Sequence, residues 1–209
     1  MLMIETMPVG PLGTNCYIVY QDNVRQALII DPGFEADRIT NFLDSNNLQP
    51  DLILATHGHF DHLAVAQLLC DQYQLDMYLH QADWQLAASL PAWASGMLPA
   101  DYRPITSLQD LPASGQLDFL GETIQIVHTP GHTPGSVIYV IGSFIFAGDL
   151  LFYGSIGRTD LPGGDWEQMQ NSLEIIASYP DAYQVFPGHG ESTTIGMEKA
   201  ENPFLLAGK

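Results

Sequence analysis

Residues 56–62 read Thr56-His57-Gly58-His59-Phe60-Asp61-His62, three imidazoles and a carboxylate within six consecutive residues of a chain with seven histidines in all. Imidazole and carboxylate are the ligand types that suit zinc, iron and manganese. The preceding run, Asp51-Leu52-Ile53-Leu54-Ala55, predicts a short buried strand, and Leu63 to Tyr73 predicts a helix. The cluster therefore belongs in a strand-to-helix loop, where α/β proteins gather ligand-binding residues because a rigid sheet fixes their positions. In an extended segment residues i and i+2 point the same way, so His57 and His59 can grip one metal. Asp61 and His62, at the mouth of the helix, project elsewhere and can serve a second. Scattered surface histidines do not arrive in this order behind an apolar strand.

A pair of metals needs more ligands than these four. Three later apolar runs each end in a candidate. Thr123-Ile124-Gln125-Ile126-Val127 leads into His128-Thr129-Pro130-Gly131-His132-Thr133. Ser143-Phe144-Ile145-Phe146-Ala147 leads into Gly148-Asp149, and Gln184-Val185-Phe186 into Pro187-Gly188-His189-Gly190. Each alone reads as a turn after a strand; with the heptapeptide they form a constellation.

The set T-H-G-H-F-D-H, T-P-G-H-T, F-A-G-D and P-G-H-G resembles the metallo-β-lactamase superfamily over essentially the whole chain. The resemblance implies an α/β fold, an αββα sandwich of two mixed sheets flanked by helices. It implies two divalent metals, with His57, His59 and His132 on the first, Asp61, His62 and His189 on the second, and Asp149 bridging. Ile29-Ile30-Asp31-Pro32-Gly33 is similar to the superfamily's strand-end D-P-G, in which the aspartate orients ligand histidines. An ordinary Asp-Pro-Gly turn explains the same residues. His80 and His128 fit no ligand position.

Composition narrows the function. The length of 209 residues suits one domain, 1–209, with a full hydrophobic core. No run reaches the length of a membrane span, and Met1 to Met7 lacks the basic and apolar regions of a secretory signal. Cys16 and Cys70 lie in apolar segments and read as buried free thiols, so a cytoplasmic protein is expected. With 24 Asp and Glu against 6 Lys and Arg, net charge −18, the chain has little with which to neutralise phosphates, so nucleic acid is not an expected partner.

Residues 90–115 carry Pro91, Pro99, Pro104 and Pro112 among Trp93, Met97 and Leu98. This is too proline-rich for long helices and too apolar for a solvated linker. A lid, a subunit contact and a loop packed on the core are all consistent with it. Trp166 to Ser178 predicts a helix, with Met169, Leu173, Ile176 and Ala177 on one face and Gly163-Gly164-Asp165 as its start.

Two adjacent metals can share a water and lower its pKa towards neutrality, and an open coordination position can polarise a carbonyl. No G-x-S-x-G nucleophile is present. The expected reaction is hydrolysis of an activated acyl or phosphoryl bond, with Asp61 and Asp149 as catalytic carboxylates. In the superfamily that the chain resembles, many two-zinc β-lactamases lack a bridging aspartate at this position and are exported, so Asp149 and the expected absence of a secretory signal argue against β-lactam hydrolysis. Asn15-Cys16-Tyr17-Ile18-Val19 and Gly148-Asp149-Leu150-Leu151-Phe152 resemble the glyoxalase II branch, which implies a small thioester of the S-acylglutathione kind as substrate.

The chain departs from that branch after His189. Only twenty residues follow, with Lys199 and Lys209 as their only positive charges, so no counterpart of that branch's C-terminal glutathione-holding domain is expected. Arg158, in Gly154-Ser155-Ile156-Gly157-Arg158, matches a basic position of the branch and could pair with a substrate carboxylate; a salt bridge to Asp160 or Asp165 explains it equally. The compact form resembles short bacterial glyoxalase II-like proteins. Gly157-Arg158-Thr159-Asp160 also resembles the persulfide dioxygenases, which would use one iron on His57, His132 and Asp149; Pro-Gly-His-Gly around His189 favours the hydrolases. A lactonase or a phosphodiesterase is a further alternative. Zinc is expected because hydrolysis needs no redox chemistry, with iron and manganese open; the oligomeric state is not legible.

Overall fold

The computed structural model describes residues 1–111 and 115–206; Pro112 and Lys209 lie outside the described residues, as does the side chain of Trp93. The chain divides into two compact units, Met1–Leu79 with Trp84–Leu111, and His80–Asp83 with Pro112–Lys209.

The first unit is built from β1 (Leu2–Val9), β2 (Thr14–Gln21), β3 (Gln26–Ile30), α1 (Ala36–Ser45), β4 (Gln49–Leu54), α2 (Ala66–Tyr73), β5 (Met77–Leu79), α3 (Trp84–Ala88) and β6 (Leu108–Asp110). The six strands form one sheet in sequence order. β1, β2 and β3 pair antiparallel, and β3 to β6 pair parallel. Strands β2 and β3 are buried on both faces, which explains their near-continuous apolar runs. Helices α1 and α2 turn Ile39 with Leu43, and Ala66 with Leu69 and Cys70, into the core.

The stretch after Leu90 is packed on that core. Ala94 is fully buried in it, and Leu90, Leu98, Tyr102, Ile105 and Leu108 lie against it. Buried Gln67 of α2 ties down the rest: its Oε1 accepts from the backbone N–H of Thr106 at 2.7 Å and of Ser107 at 3.1 Å. Its Nε2 donates to Asp71 and to Ser107 Oγ.

The second unit holds β7 (Gln116–Phe119), β8 (Glu122–His128), β9 (Val137–Ile141), β10 (Phe144–Gly148), β11 (Leu151–Phe152), β12 (Ser155–Ile156), α4 (Trp166–Ala177), β13 (Gln184–Pro187), β14 (Thr193–Thr194), α5 (Ile195–Glu201) and α6 (Pro203–Leu206). Its main sheet runs β14-β13-β10-β9-β8-β7, and β11 and β12 make a separate hairpin. Among the described residues of this sheet β10 and β13 pair parallel and the other neighbours antiparallel. Helix α4 is capped by Asp165, whose carboxylate accepts from Gln168 N at 2.9 Å, and it buries Met169, Leu173 and Ile176. Two mixed sheets flanked by helices are the make-up expected from the sequence.

The helix expected from Leu63 begins at Ala66. Phe60–His62 instead form one tight 3-10 turn, and Val65 N donates to Pro32 O at 3.3 Å, outside any helical ladder. The loop between β4 and α2 is thereby fixed against the end of β3.

Candidate metal centre

In the first unit, the parallel pairing of Ile30 with Leu54 brings the ends of β3 and β4 side by side. Asp31 follows one strand and the 56–62 loop the other, the outer carboxyl ends where α/β sheets place ligands. Asp31 is buried, at 1% exposure, with left-handed backbone (φ 53°). Its Oδ1 accepts from Thr56 N at 2.7 Å, and its Oδ2 accepts from Thr56 Oγ1 at 2.7 Å and from His62 Nδ1 at 2.9 Å.

These bonds assign tautomers. An ionised carboxylate only accepts, so the His62 proton sits on Nδ1 and its Nε2 carries a lone pair. The Thr56 hydroxyl spends its hydrogen on Asp31, so its oxygen accepts from His57 Nδ1 at 3.1 Å, and the lone pair of His57 is likewise on Nε2. His57 Nε2 stands 3.1 Å from His59 Nδ1. Imidazole nitrogens bind zinc at about 2.0–2.1 Å, so two on one tetrahedral ion stand roughly 3.4 Å apart. The pair is close to the spacing a shared ion requires. Asp61, in the turn that also carries His62, accepts from the buried Thr14 hydroxyl at 2.9 Å and lies 3.7 Å from His62 Nε2.

In the second unit, β10 and β13 run parallel with a one-residue register shift between Phe146 and Gly148, which sets Gly148 opposite Pro187. Gly188 N then donates to Gly148 O at 2.7 Å. Asp149 and His189 leave the sheet together: Asp149 Oδ2 lies 3.7 Å from His189 Nε2 and 3.3 Å from His132 Nε2. His132 donates from Nδ1 to the Arg158 carbonyl oxygen at 2.7 Å, which again places the lone pair on Nε2. The ring of Phe152, on the β11–β12 hairpin, meets His189 edge-on.

The Arg158 side chain makes a two-point exposed pair with Asp160, at 2.6 and 2.8 Å. The guanidinium hydrogen bonds hold the Asp160 carboxyl down at about 2. His80 and His128 stack on one another, with ring centroids 4.5 Å apart and planes within 8°.

Sequence reasoning assigned no role to Thr14, Thr56 or Asp83. Thr56 opens the quoted heptapeptide, and a hydroxyl next to a candidate ligand is the available signal. Thr14 and Asp83 carry none, because their partners lie 47 and 50 residues away along the chain.

Among known proteins, the hydroxyacylglutathione hydrolase GloC of Haemophilus influenzae is 36% identical to this chain over 209 residues, 97% of each sequence. The solved B3 metallo-beta-lactamase BLEG-1 is 38% identical with a TM-score of 0.86, over 97% of this chain and 99% of its own. TTHA1623, solved in a di-iron-bound form, is 36% identical with a TM-score of 0.85, over 96% of this chain and all of its own. The family model for the metallo-beta-lactamase superfamily matches residues 9–189, from β1 through every motif histidine and aspartate, and the chain belongs to that superfamily.

Proposed function

We propose that the chain is a dinuclear metal-dependent hydrolase that cleaves small thioesters of the S-acylglutathione kind. The observation that carries the reading is the pinning of His57, His62 and His132. Each gives its Nδ1 proton to an oxygen that can only accept it, or whose own hydrogen is already committed, and so each is set to ligate through Nε2.

In this reading His57, His59 and His132 hold one ion, Asp61, His62 and His189 hold the other, and Asp149 bridges them. Residues 1–209 then act as one domain, in keeping with a family model that runs across both units. Zinc is the proposed metal, with iron next because TTHA1623 was solved with two irons. Bound there, the ions would lower the pKa of water and polarise the acyl carbonyl.

The protein's own part is positional. Thr14 fixes the Asp61 carboxylate, Asp31 fixes His62 and, through Thr56, His57. Arg158 offers a guanidinium to an acidic substrate in exchange for Asp160, an exchange that an exposed, solvent-screened pair permits. A thiolate, whose conjugate acid has a pKa of about 8.5, departs without a proton donor. That suits a site whose imidazoles are committed to metal. The likeness to GloC supports the thioester, and the two buried free thiols support a reducing compartment.

The likeness to BLEG-1 favours β-lactam hydrolysis as a second reading. A panel of S-lactoylglutathione, a chromogenic cephalosporin, an acyl-homoserine lactone and a phosphodiester, presented to zinc-loaded and iron-loaded protein, separates them by kcat/KM. The proposal expects the thioester to lead. A leading cephalosporin, lactone or diester would displace it, and catalytic oxygen uptake with glutathione persulfide would replace hydrolysis by dioxygenase chemistry.

A further inference from the structure

The loop that carries His132 rests on a carboxylate outside every motif. Asp83 is fully buried, in a single 3-10 turn (Gln81–Asp83) of the second unit. Its Oδ2 accepts from the Thr133 hydroxyl at 2.6 Å, and its Oδ1 from the Gly135 N–H at 2.7 Å. A side chain at Gly135 would stand 2.6 Å from the Asp83 carboxyl carbon, so only glycine lets the backbone come this close.

The network continues inward. With the Thr133 hydrogen given to Asp83, its oxygen accepts from Ser136 Oγ at 2.7 Å, and Ser136 Oγ accepts in turn from Thr133 N at 3.1 Å. Beside it, His128 Nε2 donates to Pro134 O at 2.8 Å while its ring stacks on His80, three residues before Asp83. The segment His80–Asp83 thus braces Thr133, Pro134 and Gly135, the three residues that follow His132.

Asp31 makes the same arrangement in the first unit. There too a buried aspartate accepts from one threonine hydroxyl and one backbone N–H beside a candidate ligand, Thr56 preceding His57 as Thr133 follows His132. We infer that Asp83 is a positioning residue for His132: through Thr133 and Gly135 it holds the loop at which His132 Nε2 meets Asp149. The inference rests on reading His132 as a metal ligand. Partners of this outer kind alter metal affinity by roughly 10–100-fold when removed.

The test is zinc titration of metal-free protein against a chromophoric chelator, resolving both ions, for wild type, Asp83→Asn, Thr133→Val and Thr133→Ser. Circular dichroism confirms that each is folded. Thr133→Val keeps the shape and loses the hydroxyl, so it serves where Asp83→Asn does not fold; Thr133→Ser restores the hydroxyl. The expected result is one ion held roughly 10–100-fold more weakly in Asp83→Asn and Thr133→Val. The other ion stays near wild-type affinity, and Thr133→Ser holds both ions as wild type does. Folded variants that bind both ions as wild type does overturn the inference, even if they melt earlier, because they leave Asp83 a stabilising role alone. A wild type that takes up no zinc overturns the ligand reading and this inference with it.

Discussion

His132 Nδ1 donates to the backbone carbonyl of Arg158 at 2.7 Å, while the Arg158 guanidinium points to Asp160. One residue thus offers two separable contributions, a carbonyl that orients a candidate ligand and a side chain available to substrate. Arg158→Ala keeps the first and removes the second. Its metal content is expected to equal wild type, with KM for an acidic thioester raised on the order of tenfold and kcat little changed. Gly157→Ala does the reverse, because a methyl group there would overlap the Asp149 carbonyl oxygen and crowd His132. That variant is expected to lose metal and activity together. Steady-state kinetics beside metal analysis read both; metal lost from Arg158→Ala would contradict the separation.

Asp31→Asn tests the other half of the centre. Asparagine tolerates the left-handed backbone at this position, so the fold should survive. It keeps an acceptor for Thr56 N but not a carboxylate shared by Thr56 and His62. Metal affinity should fall by roughly 10–100-fold. Unchanged affinity in a chelator competition would remove Asp31 from the account.

Gln67 tests stability apart from metal. Leucine fits its volume but leaves the Thr106 and Ser107 N–H groups without their acceptor. Gln67→Leu should cost about 1–3 kcal/mol in a urea titration, since a fully buried orphaned donor costs about 1–3 kcal/mol and these two are only part-buried. A loss below about 0.5 kcal/mol would show that water replaces it.

The cysteines give a pH prediction. Burial, helped by Asp76 and Asp71, pushes the Cys70 thiol up to about 12, and burial with Asp31 raises Cys16 further. A thiol raised in the folded state and ordinary in the unfolded one contributes stability that is complete below its unfolded value of 9.0. That contribution drains away as pH climbs towards 12. Iodoacetamide should therefore label native protein far more slowly than urea-unfolded protein at pH 8, and stability should decline above pH 9. Rapid native labelling would contradict the burial of both thiols.

The candidate ligands were legible because each sits in a short local motif directly after an apolar strand. His57, His132, Asp149 and His189 announce themselves by their neighbours. What was not legible depends on contacts far apart in sequence. Nothing near Asp83 points to Thr133, and nothing near Thr14 points to Asp61. The start of α2 was missed because apolar periodicity continues through Leu63, while the 3-10 turn at Phe60–His62 and the bond from Val65 to Pro32 break the helix. The stretch after Leu90 was ambiguous because prolines and apolar residues suit a lid or a subunit contact as well as a packed loop; burial of Ala94 shows that its described part packs on the core.

In the proposed centre His57, His59 and His132 hold one ion, Asp61, His62 and His189 hold the other, and Asp149 is shared by both. The most direct measurement is the number of zinc or iron ions bound per chain in wild type and in Asp149→Ala, by elemental mass spectrometry after exhaustive dialysis. Two ions in the wild type, with both lost or greatly weakened in the variant, is the predicted result. Two tightly held ions persisting in Asp149→Ala, or a wild type that saturates at one, would contradict it.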